Sequence, residues 1–325
     1  MRAVVMSDYG GPEQLVVREV DEPIARHGWV TVELRASALN WHDVLVRRGR
    51  YRSPLPHTPG ADGAGVRTDT GDEVVILPSL FWGDRQDAPA PEFEILGDRV
   101  PGTYAERVSV PEECLAPKPV GFSWEEAAAL PLVGVTSYRA LVSRAGLGAG
   151  ESLLIIGAGG GVSTMALSLA TALGAQAFVT ASSEAKLARA RNSGAAGGVL
   201  HSAGNWPARA KALSPNGNGF DVIVDPVGLW DRSAEALRPG GRLVVLGANV
   251  AEHVSMDVRK FFFGQYSLLG TTMGGPNDFR GLMNLVSTGA VTGPTIAETY
   301  ALDDAAQAHR RLEAGDAFGK IVLVP

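Results

Sequence analysis

The residues best suited to chemistry lie in one stretch. Leu153-Leu154-Ile155-Ile156 is an apolar run, Gly157-Ala158-Gly159-Gly160-Gly161 follows it, and small and apolar side chains fill 162–174. Strand, glycine turn and helix, in that order, is the context in which a glycine cluster binds a dinucleotide. Glycine lets the backbone approach a pyrophosphate, and the helix amino terminus adds free N–H groups and a partial positive charge. The glycine register is imperfect. Gly157-x-Gly159 followed by Val162 supplies two of the fingerprint's three glycines, while Ala158-x-Gly160-x-x-Ser163 supplies one, with small residues in the other two places. A tight turn of unliganded α/β packing therefore stays open as the alternative.

The next apolar run, 177–181, ends in Ser182-Ser183-Glu184-Ala185-Lys186. NAD binders usually carry an acid there, about 20 residues past the glycines, bonded to the ribose hydroxyls. No Asp or Glu occurs between Gly157 and Ser183. A carboxylate would repel a 2′-phosphate, whereas the hydroxyls of Ser182 and Ser183 and the ammonium of Lys186 would bind it. The sequence thus favours NADP(H) over NAD. Ser183 and Lys186 also read as a helix cap and a solvated lysine; both readings can hold together.

Groups in this order need a parallel sheet to position them. Between 122 and about 261, strand-like runs (152–156, 177–181, 198–200, 221–225, 242–247) alternate with helical ones (162–173, 184–192, 233–237). Short loops join them, as in a parallel sheet covered on both faces. Ser123-Trp124-Glu125-Glu126 has capping-box spacing and opens a helix. Before it, short β-like runs (3–6, 15–20, 29–36, 72–77, 104–110) punctuated by Gly and Pro predict a mostly β domain. The last zone, 267–325, adds a strand, a helix near 279–287, another strand, a helix over 303–313 and the strand-like 320–324.

A length of 325 residues suits two domains. The net charge of −6 gives no electrostatic reason to expect nucleic acid or an anionic membrane as partner. The single cysteine, Cys114, rules out an intramolecular disulfide and a cysteine-cluster zinc site. The start, MRAVVMSDYGG, lacks the apolar core of a signal peptide, and no run reaches the ~18 apolar residues of a membrane span. The expected compartment is the cytoplasm.

Further segments carry a family likeness. Leu39-Asn40-Trp41-His42-Asp43 leads to Arg48-Gly49-Arg50-Tyr51, and Pro59-Gly60-Ala61-Asp62-Gly63-Ala64-Gly65 follows. Ala127-Ala128-Ala129-Leu130-Pro131 precedes Gly134-x-Thr136-x-Tyr138, and Asp221–Gly228, Leu237–Arg242 and Leu302–Lys320 come in order after the glycine turn. The chain resembles the medium-chain dehydrogenases/reductases, and more narrowly their zinc-independent quinone oxidoreductases, over nearly its whole length. The resemblance implies an α/β fold with a GroES-like β domain (1–121 and 264–325) around a Rossmann doubly wound parallel-sheet domain (122–263), cofactor and substrate meeting between them.

The resemblance also assigns sites. Cofactor contacts are Gly157, Gly159, Gly160, Gly161, Val162, Ser182, Ser183, Lys186, Val227, Gly247, Asn249, Thr271, Thr272, Met273 and Lys320, the last reading equally as a solvated lysine. His201 either borders the adenine pocket or lies on the surface. Catalytic candidates are Asn40 (amide donor), Tyr51 (phenol donor, or packing aromatic) and Thr136 (hydroxyl toward the nicotinamide), with Tyr138 behind them. In the superfamily's zinc enzymes a Cys and a His would stand at Asn40 and Ala61, and the lobe at about 81–101 would carry cysteines; none occurs there. No metal is expected, because an amide and a methyl group do not hold Zn²⁺.

The implied activity is hydride transfer from NADPH to a quinone or α,β-unsaturated carbonyl. Alternatives are an enoyl-thioester or enone reductase, and a nucleotide-binding protein without turnover. Residues 81–93 read as a substrate-entrance loop or as packing on the β domain, and Phe261-Phe262-Phe263 as a plug. An exposed sheet edge predicts a homodimer.

Overall fold

Ser152–Ile155 (β1) is buried at every position, as a strand covered on both faces must be. It is the third of six parallel strands with Gln176–Ala181 (β2), Gly197–Leu200 (β3), Phe220–Asp225 (β4), Leu237–Val245 (β5) and Ser267–Gly270 (β6), in the order β3-β2-β1-β4-β5-β6. The chain reverses direction across the sheet between β1 and β4, and ligands of such sheets lie beyond the strand carboxyl ends at that switch point. Leu154, Ile156, Phe178, Trp206, Phe220, Ile223 and Leu243 form the core. The computed structural model describes residues 1–24 and 26–325, and this sheet lies in a unit comprising Gly134–Met273 and Thr288–Thr292.

Two local readings are corrected. The helix expected over 233–237 is Trp230–Ala234, and Leu237 already begins β5. Asp225 draws it forward by accepting from the backbone N–H groups of Val227, Gly228 and Leu229 and from the Ser233 hydroxyl, each at 2.9 Å. Phe262 and Phe263, read as a plug, are 53% and 73% exposed and pack on each other instead.

The other unit comprises Met1–Val133, Gly274–Ser287 and Gly293–Pro325. Its main sheet centres on Trp29–Ala38, which pairs with Asp62–Arg67, Arg107–Pro111 and the tail strand Lys320–Val324. The tail strand also pairs in parallel with Ile296–Ala301. The helix opened by Ser123 packs on Trp29–Ala38 and Asp62–Arg67, so the unit extends past the expected limit at 121. Likewise the sixth parallel strand, Ser267–Gly270, keeps 264–273 with the α/β unit. The 81–93 loop packs on its own β unit: Trp82 is 2% exposed and lies edge-on to Phe93.

The tail helix Ala305–Glu313 closes this unit's core with Val4, Met6, Leu39, Val46 and Tyr104. It also buries His309. The Tyr104 hydroxyl donates to Asp43 Oδ2 at 2.9 Å and lies 3.2 Å from His309 Nε2. Nε2 must then carry the hydrogen, and Nδ1 is left buried and without a partner. Burial, helped by the Arg47 charge, holds the imidazole down at about 3. Burial also pushes Asp43 up to about 6, against the pull of the His42 charge, the Asn40 N–H, Tyr104 and Lys320.

These two groups act oppositely on stability. The folded His309 resists a proton that the unfolded chain takes up near pH 6.5, so its contribution is full above that pH and is lost as pH falls toward 3. Folded Asp43 keeps its proton up to about pH 6, against 3.8 for the free side chain, and so costs stability as pH rises between those values. His309→Gln removes only the first effect. Urea unfolding at pH 7 and pH 4 should show the parent losing on the order of 3 kcal/mol more than the variant over that interval. Equal losses would contradict a neutral buried imidazole.

Candidate active site

In the α/β unit, the expected cofactor residues gather at one edge of the sheet. Gly157–Val162 follow β1, Ser182, Ser183 and Lys186 follow β2, Val227 follows β4, Gly247 and Asn249 follow β5, and Thr271–Met273 follow β6. Gly157 turns the chain with φ +84°, and its N–H donates to Thr180 Oγ1 at 2.9 Å. Helix Gly161–Ala172 then starts at Gly160 with no side chain capping it. The unmet N–H groups of such a terminus suit an anion. Gly247 packs so closely on the turn after β4 that a Cβ would lie 2.1 Å from the Pro226 carbonyl oxygen.

At the tip of β2, Ser182 is exposed, and the Ser183 hydroxyl accepts from the Lys186 N–H at 3.3 Å as the helix cap. His201 follows the neighbouring strand β3, its N–H donating to the Ala181 carbonyl at 3.0 Å. Burial, then the Lys186 charge, lowers its basicity, and Nδ1 is buried without a partner. The ring therefore belongs with the serines and lysine; the signal in the sequence was only a histidine closing a strand. Thr136 is buried in helix Pro131–Tyr138, its hydroxyl 3.8 Å from the Met273 sulfur.

In the β unit the structure changes two assignments. Lys320 is 4% exposed, and its ammonium donates to the Leu39 carbonyl at 2.7 Å and Asn40 Oδ1 at 2.5 Å and lies 3.3 Å from Asp62 Oδ2. It is committed inside the unit and does not reach out to a phosphate. Asn40 is likewise committed: its amide donates to Asp62 Oδ2 at 2.9 Å and to the Ala38 carbonyl at 3.2 Å. With both N–H bonds spent, it offers no donor to a substrate oxygen. Asn40 is instead the cap of helix Trp41–Arg47, its N–H bonded to Asp43 Oδ2 at 2.8 Å.

Asp62 completes the cluster by accepting the Leu132 N–H at 2.8 Å. Burial pushes its carboxyl up and the Lys320 ammonium down, and each charge pulls the other back toward the ionised form. Tyr51 remains reachable, at 42% exposure, with its ring 4.6 Å from that of His42. Burial and the Asp98 charge raise its phenol.

The zinc of the wider superfamily does not fit these residues. Where its ligands would stand are the Ala61 methyl group and an Asn40 carbonyl already bonded to an ammonium. Among the described residues, no three His, Cys, Asp or Glu side chains converge as metal ligands.

A Rossmann sheet with an open helix terminus at its switch point, joined in one chain to a GroES-like β domain, defines a nicotinamide-dependent oxidoreductase. Residues 26–120 match the family described as alcohol dehydrogenase GroES-like domain, and 161–288 the family described as zinc-binding dehydrogenase. Quinone oxidoreductase of Mus musculus is 30% identical over 100% of this chain and 98% of its own length. The NADPH-dependent alkenal/one oxidoreductase of Arabidopsis thaliana chloroplasts is 32% identical over 76% of this chain and 62% of its own length. A crystal structure of an NAD-dependent alcohol dehydrogenase superposes with a TM-score of 0.94 at 38% identity, covering 100% of both chains. The chain belongs to the quinone oxidoreductase-like branch of the medium-chain dehydrogenase/reductase superfamily.

Removing one partner of a buried ion pair strands the other charge. Lys320→Met should cost about 3–5 kcal/mol of stability, read as a fall in melting temperature. Adding Asp62→Asn should recover part of that loss; strictly additive losses would contradict the pairing.

Proposed function

We propose that this protein reduces a quinone or an α,β-unsaturated carbonyl with NADPH and without a metal ion. The observation that carries the reading is the tip of β2, where Ser182, Ser183, Lys186 and the His201 ring gather and the strand itself ends in no acid, Glu184 following only in the first turn of the next helix. A 2′-phosphate meets hydroxyl donors and positive charge there, where an acid would repel it. The open amino end of helix Gly161–Ala172 and the turn Gly157–Gly160 hold the pyrophosphate. Val227, Gly247 and Asn249 lie along the nucleotide, and Thr271, Thr272, Met273 and Thr136 take the nicotinamide end. When bound, the reduced ring supplies a hydride, and the chain's own part is to orient it and polarise the acceptor.

Tyr51 is the donor for the acceptor oxygen. Its raised phenol stays protonated at neutral pH, as a hydrogen-bond donor must. A conjugated acceptor spreads the developing charge, so hydrogen bonds suffice where an alkoxide would call for a Lewis acid. An NADH reading follows from the likeness to the NAD-dependent alcohol dehydrogenase structure; it would use the same helix terminus and differs at the β2 tip. Enoyl thioesters and enones are the alternative acceptors, and a cofactor-binding protein without turnover is the alternative to an enzyme. No helix among the described residues is long and apolar enough to cross a membrane. β6 ends the parallel sheet with Leu268 39% exposed, and we assign this edge to a homodimer contact.

The test compares kcat/KM with NADPH and NADH over a panel of quinones, enones and enoyl thioesters. Lys186→Ala should raise the KM for NADPH about tenfold or more, the order expected for a charge-assisted contact, and leave NADH within about twofold. Ser182→Asp should turn the preference toward NADH. An unchanged nucleotide preference in both variants would overturn the reading.

A further inference from the structure

The glycine turn of the α/β unit divides its backbone N–H groups into two sets. Ile156 donates to the Val224 carbonyl of β4 at 3.0 Å, Gly157 to Thr180 Oγ1 of β2 at 2.9 Å, and Ala158 to the Thr180 carbonyl at 2.6 Å. Among the described residues, the next four N–H groups, of Gly159, Gly160, Gly161 and Val162, meet no acceptor. Three successive donors are thus spent on the flanking strands, and the four after them are left for a ligand.

One side chain draws the line between the sets. The run Ala177-Phe178-Val179-Thr180-Ala181 is buried throughout, and Thr180 is its one polar residue. The pairing of β1 with β2 ends at Ile155 opposite Val179, so Thr180 stands one residue past the last pair, level with the turn. A valine would fill the same space in a strand that favours β-branched residues. A hydroxyl buried there costs free energy unless it is bonded, and the Gly157 N–H supplies the bond.

Gly157 takes φ +84°, a conformation that glycine enters at little cost and leaves as easily. The Thr180 hydroxyl removes that freedom at the first residue of the turn. Beyond the free donors, the Ser137 hydroxyl donates to the Val162 carbonyl at 3.1 Å and holds the start of helix Gly161–Ala172. The turn is thus pinned on both sides of the N–H groups that it offers. A loop already held in its binding conformation loses less entropy when a ligand arrives.

We propose that Thr180 is a positioning residue for the cofactor's pyrophosphate. Its hydroxyl and carbonyl hold Gly157 and Ala158 so that the N–H groups of Gly159, Gly160, Gly161 and Val162 are preset for phosphate oxygens. The proposal rests on the reading that a nicotinamide dinucleotide lies on this turn, and is separate from the choice between NADPH and NADH, which the β2 tip makes. Thr180 is 0% exposed and acts through the backbone of the turn. It therefore governs affinity for the part that NADPH, NADH and ADP-ribose have in common.

Binding and amide exchange of the full-length protein test it. Calorimetric titration should show Thr180→Val weakening NADPH, NADH and ADP-ribose by a common factor of about tenfold, the scale of one lost buried hydrogen bond. Thr180→Ser, which keeps the hydroxyl, should restore all three to within about twofold of the parent. In turnover, the valine variant should raise the KM for the nucleotide by the same factor, with kcat within about twofold. In the parent without nucleotide, the Gly157 and Ala158 amides should be protected from hydrogen exchange and those of Gly159 and Gly160 open, NADPH then protecting the second pair. A loss confined to NADPH, parent-like binding by the valine variant, no rescue by serine, or an unprotected Gly157 in the parent overturns this proposal alone. A parent protein that binds none of the three ligands overturns the cofactor reading and this proposal together.

Discussion

A buried ammonium and carboxylate hold the β unit in register. Lys320 begins the tail strand, Asp62 begins the strand after the Pro59–Gly60 turn, and Asn40 caps the first long helix; their side chains meet in one dry cluster. Three segments far apart in sequence are tied there by charge-assisted hydrogen bonds. Burial opposes both charges, so each must find its partner. Everything positioned by helix Trp41–Arg47, His42 included, inherits that constraint. The same pair brings a protein-borne positive charge to the place where zinc enzymes of the superfamily put a metal.

The α/β unit works by omission. Its first helix starts without a side-chain cap and its second strand ends without an acid. Each absence leaves something for a ligand to satisfy: backbone donors in one case, hydroxyls and a lysine in the other. Asp225 shows the opposite design one strand away, since all its acceptor capacity is consumed by its own turn and by Ser233. An acid at a strand end is a structural device when the chain supplies the donors, and a ribose ligand when it does not.

The sequence made the parallel sheet legible because its central strands β1, β2 and β4 are buried nearly throughout and are therefore almost continuously apolar. The capping box at Ser123 was equally plain, though it opens a helix of the β unit. Asp62–Arg67 does not stand out among the strand-like runs, since glycines rarely announce a strand. Gly65 is there because a Cβ would lie 2.1 Å from the Glu33 carbonyl oxygen on the paired strand. Helix Trp206–Leu213 went unread despite Pro207 in its first turn. In the site, the glycine turn and the β2 tip followed from local pattern. The fates of Asn40 and Lys320 did not, because 280 residues separate them and only the tail's pairing brings them together.

The proposal that the β2 tip receives the 2′-phosphate of the nucleotide is tested most directly by calorimetric titration of the unmodified protein with NADPH and with NADH, at low and at moderate salt. A dissociation constant for NADPH about tenfold or more below that for NADH, with the gap narrowing as salt screens the phosphate, is the expected result. Equal or tighter binding of NADH, or no binding of either, would contradict it.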